Sequence, residues 1–127
     1  LPVLRPGKTL GFMPLKPGLT RLTPNRYGIP EPEWKPQFAV AAKAIDLVLT
    51  PVVAVDRQGN RLGMGGGYYD RSFAFRARKP LLQTPVLLGL AYDFQRVQKL
   101  PAESWDVALA GTVTASGVWL ATGAREI

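Results

Sequence analysis

Ile45-Asp46-Leu47-Val48-Leu49-Thr50-Pro51 is a near-continuous apolar run of strand length, ended by a proline. Such a run reads as a central strand buried on both faces, as in a parallel sheet. Val86-Leu87-Leu88-Gly89-Leu90-Ala91 repeats the pattern. Between the two, Val52 to Val55 continues extended, Asp56 to Asn60 forms a turn, and a glycine-rich segment follows. From Tyr68 to about Arg78 the chain lacks Gly and Pro and carries aromatics at Tyr69, Phe73 and Phe75, which predicts a helix. Strands alternating with helices predict an α/β fold with a mostly parallel sheet. Ligands of such sheets bind beyond the carboxyl ends of the strands, and the glycine segment follows the first strand as that rule asks.

The flanking regions are less regular. Leu1 to Leu4 reads as the end of a strand and Leu10 to Leu15 as a second short one, kept to an edge by Pro14. Lys16 to Pro36 holds five prolines and two glycines, so it is expected to be an ordered surface loop or a long crossover. Phe38 to Ala44 is expected to form a short helix. Thr112-Val113-Thr114 and Val118-Trp119 read as short terminal strands, and residues 120–127 as a frayed tail of one domain spanning 1–127.

Composition narrows the chemistry. The 127 residues are 46% hydrophobic with mean hydropathy +0.02, as expected of one soluble domain with its own core. No stretch reaches the roughly 18 apolar residues of a membrane span, and Leu1-Pro2-Val3-Leu4 does not read as a signal peptide. With no cysteine there is no disulfide and no thiolate metal site, which fits a cytoplasmic location. With no histidine, any metal is expected to be a hard cation held by oxygens, as Mg²⁺ is. The net charge of +7 points to anionic partners, but the cations are dispersed in no run of five, which suits small anions better than nucleic acid.

The glycine segment is Arg61-Leu62-Gly63-Met64-Gly65-Gly66-Gly67-Tyr68-Tyr69-Asp70-Arg71. Its glycines can take backbone angles closed to other residues and turn amide N–H groups together toward an anion. They also feed a predicted helix start, where unpaired N–H groups favour phosphate. No lysine follows as in a P-loop, and Tyr68 occupies the last glycine position of a dinucleotide fingerprint, so neither regular motif is present. A plain glycine turn joining a hairpin to a helix is the competing reading, but it has no need of Asp70 or the two arginines.

Asp46-Leu47-Val48-Leu49-Thr50-Pro51, Val53-Ala54-Val55-Asp56 with Gly59, and the Arg61 to Arg71 segment together resemble the signature of the 5-formyltetrahydrofolate cyclo-ligase family, also called 5,10-methenyltetrahydrofolate synthetases. Asn25-Arg26-Tyr27-Gly28-Ile29-Pro30-Glu31-Pro32 resembles the family segment ending Gly-Ile-Pro-Glu-Pro. Leu100-Pro101 and Trp105-Asp106-Val107 with Val113-Thr114 resemble its C-terminal part, so the likeness runs from about Leu1 to Trp119.

The resemblance implies an enzyme that converts 5-formyltetrahydrofolate and ATP, with Mg²⁺, into 5,10-methenyltetrahydrofolate, ADP and phosphate. It implies a three-layer, Rossmann-like sheet flanked by helices, and a monomer or weak homodimer. Arg61, Leu62, Gly63, Met64, Gly65, Gly66, Gly67, Tyr68 and Tyr69 match the nucleotide-binding loop, with Arg61 a charge partner and Arg61 and Tyr68 the catalytic candidates. Met64 to Tyr68 would also face the folate, with Glu31 a further candidate that more simply shapes its loop. Asp70 and Asp106 match magnesium ligands; a solvated carboxylate or a cap is the plainer reading of Asp106. One of Tyr68 and Tyr69 is expected to pack the core, and Arg71 to pair on the helix. Two departures stand out. The family's N-terminal part, with its basic ATP-contacting helix, has no counterpart before Leu1, and Gly66 stands where some relatives carry a lysine. A truncated relative that binds nucleotide without turnover is the alternative, and a basic RNA-associated protein a more distant one.

Overall fold

The computed structural model describes residues 1–63 and 65–122. Strands β1 (Pro2–Arg5) and β2 (Thr9–Phe12) form an antiparallel hairpin in which Val3 faces Gly11 and Leu4 faces Leu10. This hairpin stands apart from the main sheet. A second hairpin, β3 (Leu22–Pro24) with β4 (Pro30–Pro32), lies within the stretch expected to be loop. Its turn is held by the Asn25 side-chain oxygen, which accepts the N–H groups of Tyr27 and Ile29 at 2.9 and 3.1 Å. The short helix expected over Phe38 to Ala44 is instead two single 3-10 turns, Pro36–Phe38 and Ala42–Ala44, each ended by an extended residue, Ala39 and Ile45.

Next come β5 (Leu47–Pro51), β6 (Ala54–Val55), β7 (Arg61–Leu62), helix α1 (Tyr68–Ser72), β8 (Val86–Leu90), β9 (Gly111–Thr114) and β10 (Gly117–Leu120). The main sheet is mixed: its order is β10-β9-β8-β5, with β5, β8 and β9 mutually parallel and β10 antiparallel to β9. The chain is therefore of the α/β class. The Ile45 to Thr50 run was expected to be central and buried on both faces. Among the described residues β5 is instead the edge strand, and only one of its faces is covered. Val48 and Thr50 are 6% and 0% exposed, whereas Leu47 and Leu49 are 52% and 53% exposed. Side chains alternate along a strand, so the register carries this split across the sheet. Leu87 lies on the covered face, and Leu90 and Val118 on the open one.

The covered face joins Phe12, Val55, Phe73, Val107 and Leu109 in one buried cluster. Phe73 is its hub, with ring centroids 5.7 Å from Phe12, 6.4 Å from Tyr69 and 6.0 Å from Phe75. Phe73 also shortens the predicted helix. Its backbone leaves helical geometry at φ −113°, a 3-10 turn (Ala74–Arg76) follows, and Arg78 has φ +64°. The side chain of Ser72 docks α1 on β2, donating to the Tyr68 carbonyl and accepting the N–H of Leu10.

The turn before β7 is pinned at two points. Gly59 has φ +84°, accepts the N–H of Leu109 at 2.8 Å, and leaves no room for a Cβ, which would sit 2.1 Å from the Leu109 carbonyl oxygen. Asp56 accepts the N–H groups of Gln58, Asn60 and Leu100 and the Asn60 amide within 2.9–3.1 Å. Burial pushes its carboxyl up, but these hydrogen bonds prevail and hold it below the ordinary range. The tail is not frayed through Thr122: Ala121 is buried and donates to Ala110, and Thr122 donates to Arg57. The rest of the expected tail lies outside the described residues. Among the described residues no helix is long and apolar enough to cross a membrane.

Candidate functional site

The β6–β7 hairpin delivers Arg61 and Leu62 to the carboxyl end of β5, where the Val53 N–H donates to the Leu62 carbonyl at 2.7 Å. Gly63 follows; Met64 lies outside the described residues. Gly65 and Gly67 then take positive φ angles of 88° and 71°, and Gly67 caps the start of α1. Among the described residues, the N–H groups of Gly65, Gly66 and Gly67 meet no acceptor. The loop thus presents unpaired amides ahead of a helix start.

Charged side chains brace this loop. Arg71 donates to the Gly66 carbonyl at 2.6 Å, where pairing on the helix was expected. Its guanidinium also lies where a Cβ on Gly67 would come within 2.6 Å. Arg61 donates from Nη2 to Asp70 Oδ1 at 2.7 Å, in a mostly buried ion pair with side chains 9% and 20% exposed. The same Asp70 oxygen accepts the Val107 N–H at 3.0 Å. Asp70 therefore ties β7, α1 and the segment at 106–107 together. Arg61 Nε is buried without a partner among the described residues.

Asp106 immediately precedes the amide that binds Asp70. Its Oδ2 accepts the Glu103 N–H at 2.8 Å, so it also caps a short turn. The fold thus brings the backbone next to Asp106 against Asp70, while the Asp106 carboxylate turns to the Glu103 N–H. Among the described residues no group of three or more acidic, His or Cys side chains gathers anywhere. Two carboxylates, with Asp70 Oδ2 and Asp106 Oδ1 outside these hydrogen bonds, suit a cation such as Mg²⁺ that takes its remaining ligands from water and phosphate.

The two tyrosines divide as expected. Tyr69 turns inward, its ring stacked on Phe73 and 5.8 Å from the Arg61 guanidinium carbon. Burial pushes its hydroxyl up, more than Arg61 lowers it. With Phe12, Met13, Val40 and Val48 it lines an apolar cavity of about 430 Å³ between β5 and the N-terminal hairpin. Tyr68 turns outward, its ring against Gly66 and its hydroxyl accepting a hydrogen bond from Arg26. A larger cavity, about 600 Å³ among Asp56, Arg57, Arg96 and Trp119, takes no wall from the glycine loop.

Glu31 shapes its loop, accepting the Leu4 N–H and the Asn25 amide, both at 3.0 Å. Arg26, at the tip of the same hairpin, is the residue that reaches the glycine loop. Sequence reasoning did not single it out, although a lone cation beside Asn25 at a turn tip was the available signal.

Residues 1–115 match the model of the 5-formyltetrahydrofolate cyclo-ligase family. The chain is 44% identical over 111 residues to a 5-formyltetrahydrofolate cyclo-ligase of Haemophilus influenzae, covering 86% of this chain and 57% of that one. It is 41% identical over 121 residues to the Escherichia coli protein of the same name, covering 94% and 64%. A solved 5,10-methenyltetrahydrofolate synthetase of Aquifex aeolicus superposes with TM-score 0.71 at 31% identity, over 96% of this chain and 57% of that one. The chain spans about 57% to 64% of the length of these relatives. On this sequence and structural likeness, the chain belongs to the 5-formyltetrahydrofolate cyclo-ligase family.

Proposed function

We propose that the chain carries the nucleotide and folate site of an enzyme that uses ATP and Mg²⁺ to convert 5-formyltetrahydrofolate to 5,10-methenyltetrahydrofolate, ADP and phosphate. The observation that carries this reading is the glycine loop beside the Arg61–Asp70 ion pair, whose amides at Gly65, Gly66 and Gly67 meet no acceptor among the described residues. The formyl oxygen takes the γ-phosphoryl group of ATP, releasing ADP. N10 then attacks the formyl carbon, the C–O bond breaks to release phosphate, and N10 loses its proton. No protein nucleophile is required, so a chain without His or Cys can supply positioning and charge neutralisation.

In this reading the amides of Gly63 to Gly67 bind phosphate oxygens, Arg61 offsets their charge, and Tyr68 holds the formyl group over the loop. Leu62, Met64 and Tyr69 shape the nucleotide and folate walls, and Glu31 acts at a distance by fixing the Arg26 turn. Asp70 and Asp106 would hold Mg²⁺, which neutralises the transferring phosphoryl group. The same reading makes the fold a three-layer, Rossmann-like one in which a further layer covers the open sheet face. It makes the protein a cytoplasmic monomer or weak homodimer.

The test is the near-ultraviolet rise of methenyltetrahydrofolate when the 127-residue chain meets 5-formyltetrahydrofolate, ATP and Mg²⁺, with Asp70→Asn as control. A signal from wild type that falls at least tenfold in the variant supports the assignment. The open sheet face favours a second reading, a nucleotide-binding relative without turnover. ATP binding with no product would select it, and neither binding nor product would sink both.

A further inference from the structure

We propose that Tyr92 and Phe94 form a stacking platform for a planar heteroaromatic ring of a bound ligand; this rests on the functional reading above and deepens it. The two rings stack nearly parallel, 6° apart with centroids at 5.7 Å, yet they are 70% and 81% exposed. Aromatic rings this exposed leave large apolar faces in water, and no core contact accounts for the pairing.

The turn beneath them is braced by hydrogen bonds, which fixes where the two side chains leave the backbone. They stand on a 3-10 turn (Asp93–Gln95) that follows the carboxyl end of β8, the end of the sheet where the glycine loop lies. The polar residues of the turn are all engaged. Asp93 accepts the hydroxyls of Thr114 and Ser116, both at 2.6 Å. Gln95 accepts the Tyr92 N–H at 2.8 Å and donates to the Val52 carbonyl at 3.1 Å. The next residue, Val53, donates to Leu62, which opens the glycine loop. Two hydrogen bonds in series thus join the aromatic turn to Leu62, at the start of the glycine segment. The ligand this implies carries an anionic end for the loop and a flat ring for the platform. Adenine and the pteridine of a folate share that flat chemistry, and stacking tolerates either because each offers a π-face.

The test follows ring protons of Tyr92 and Phe94 and amides of Gly65, Gly66 and Gly67 by NMR. The wild-type chain is titrated separately with Mg²⁺–ATP, adenosine and 5-formyltetrahydrofolate. Saturable ring-current shifts at both side chains are the expected result: with ATP and adenosine if the ring is adenine, with 5-formyltetrahydrofolate alone if it is the folate. The Phe94→Ala variant then binds that ligand roughly tenfold to a hundredfold more weakly, while Phe94→Tyr keeps wild-type affinity. Shifts confined to the glycine amides, or an unchanged affinity in Phe94→Ala, overturn the platform and leave the functional reading standing. With Mg²⁺–ATP, ring shifts without any glycine shift would do the reverse. No shift at either place rejects both.

Discussion

The two faces of the main sheet are built from the same residue types and meet different fates. Val48, Thr50 and Leu87 look into a packed cluster around Phe73 and Leu109, while Leu47, Leu49, Leu90 and Val118 look outward with about half their surface free. Apolar residues at both parities are what a strand carries when layers cover both of its faces. The described residues provide one layer. The difference teaches that the binary pattern of a strand reports how many faces are suited to burial, and says nothing of what covers them.

Substitutions can break this comparison. The largest effect is expected at the hub of the covered face: Phe73→Ala should cost about 3–5 kcal/mol by denaturant unfolding. The matching change on the open face, Leu49→Ala, should stay within about 0.5 kcal/mol. If Leu49→Ala costs as much as Phe73→Ala, the open face is covered in solution. An intermediate effect is expected at the site itself, where Arg61→Ala leaves Asp70 without its ion pair and should cost about 1–3 kcal/mol in the same assay. Leu47→Lys with Leu49→Lys sharpens the contrast further: it should lower the fluorescence of a bound hydrophobic dye without moving the unfolding midpoint.

A further effect is electrostatic and lies away from both faces. Asp56 has its carboxyl held below the ordinary carboxylate value in the folded chain. Its contribution is therefore complete above about pH 4, the unfolded value, and is lost as pH falls through the folded value. An Asp56→Asn chain should be less stable than wild type at pH 7, with the gap narrowing below about pH 4 in acid unfolding curves.

The parts of the fold that local chemistry decides were legible in the sequence. The apolar runs became β5 and β8, and the glycine segment became a loop feeding a helix start. What stayed hidden depends on distant contacts. The position of β5 at the edge follows from which neighbours exist, not from its own residues. The predicted helix to Arg78 stops at Ser72 because packing of the Phe73 ring wins over helix propensity at the next residue. At the site, Arg61 and Asp70 were each expected to act on a ligand, and the hairpin-to-helix path sets them against each other, nine residues apart. Arg26 is forty-two residues from Tyr68, and no periodicity spans that distance. Asp106 sits near Asp70 only because Val107 returns to β7 and α1.

That return has a consequence for how the protein is made. The hydrogen bond from Val107 to Asp70 closes a span of thirty-seven residues. During synthesis the glycine segment is polymerised ahead of Val107, at rates of about 5–20 residues per second. For those seconds the arginine and the aspartate lack the amide that joins them to the later chain. The loop's final brace therefore waits on a residue translated after β8, in the chain's last third.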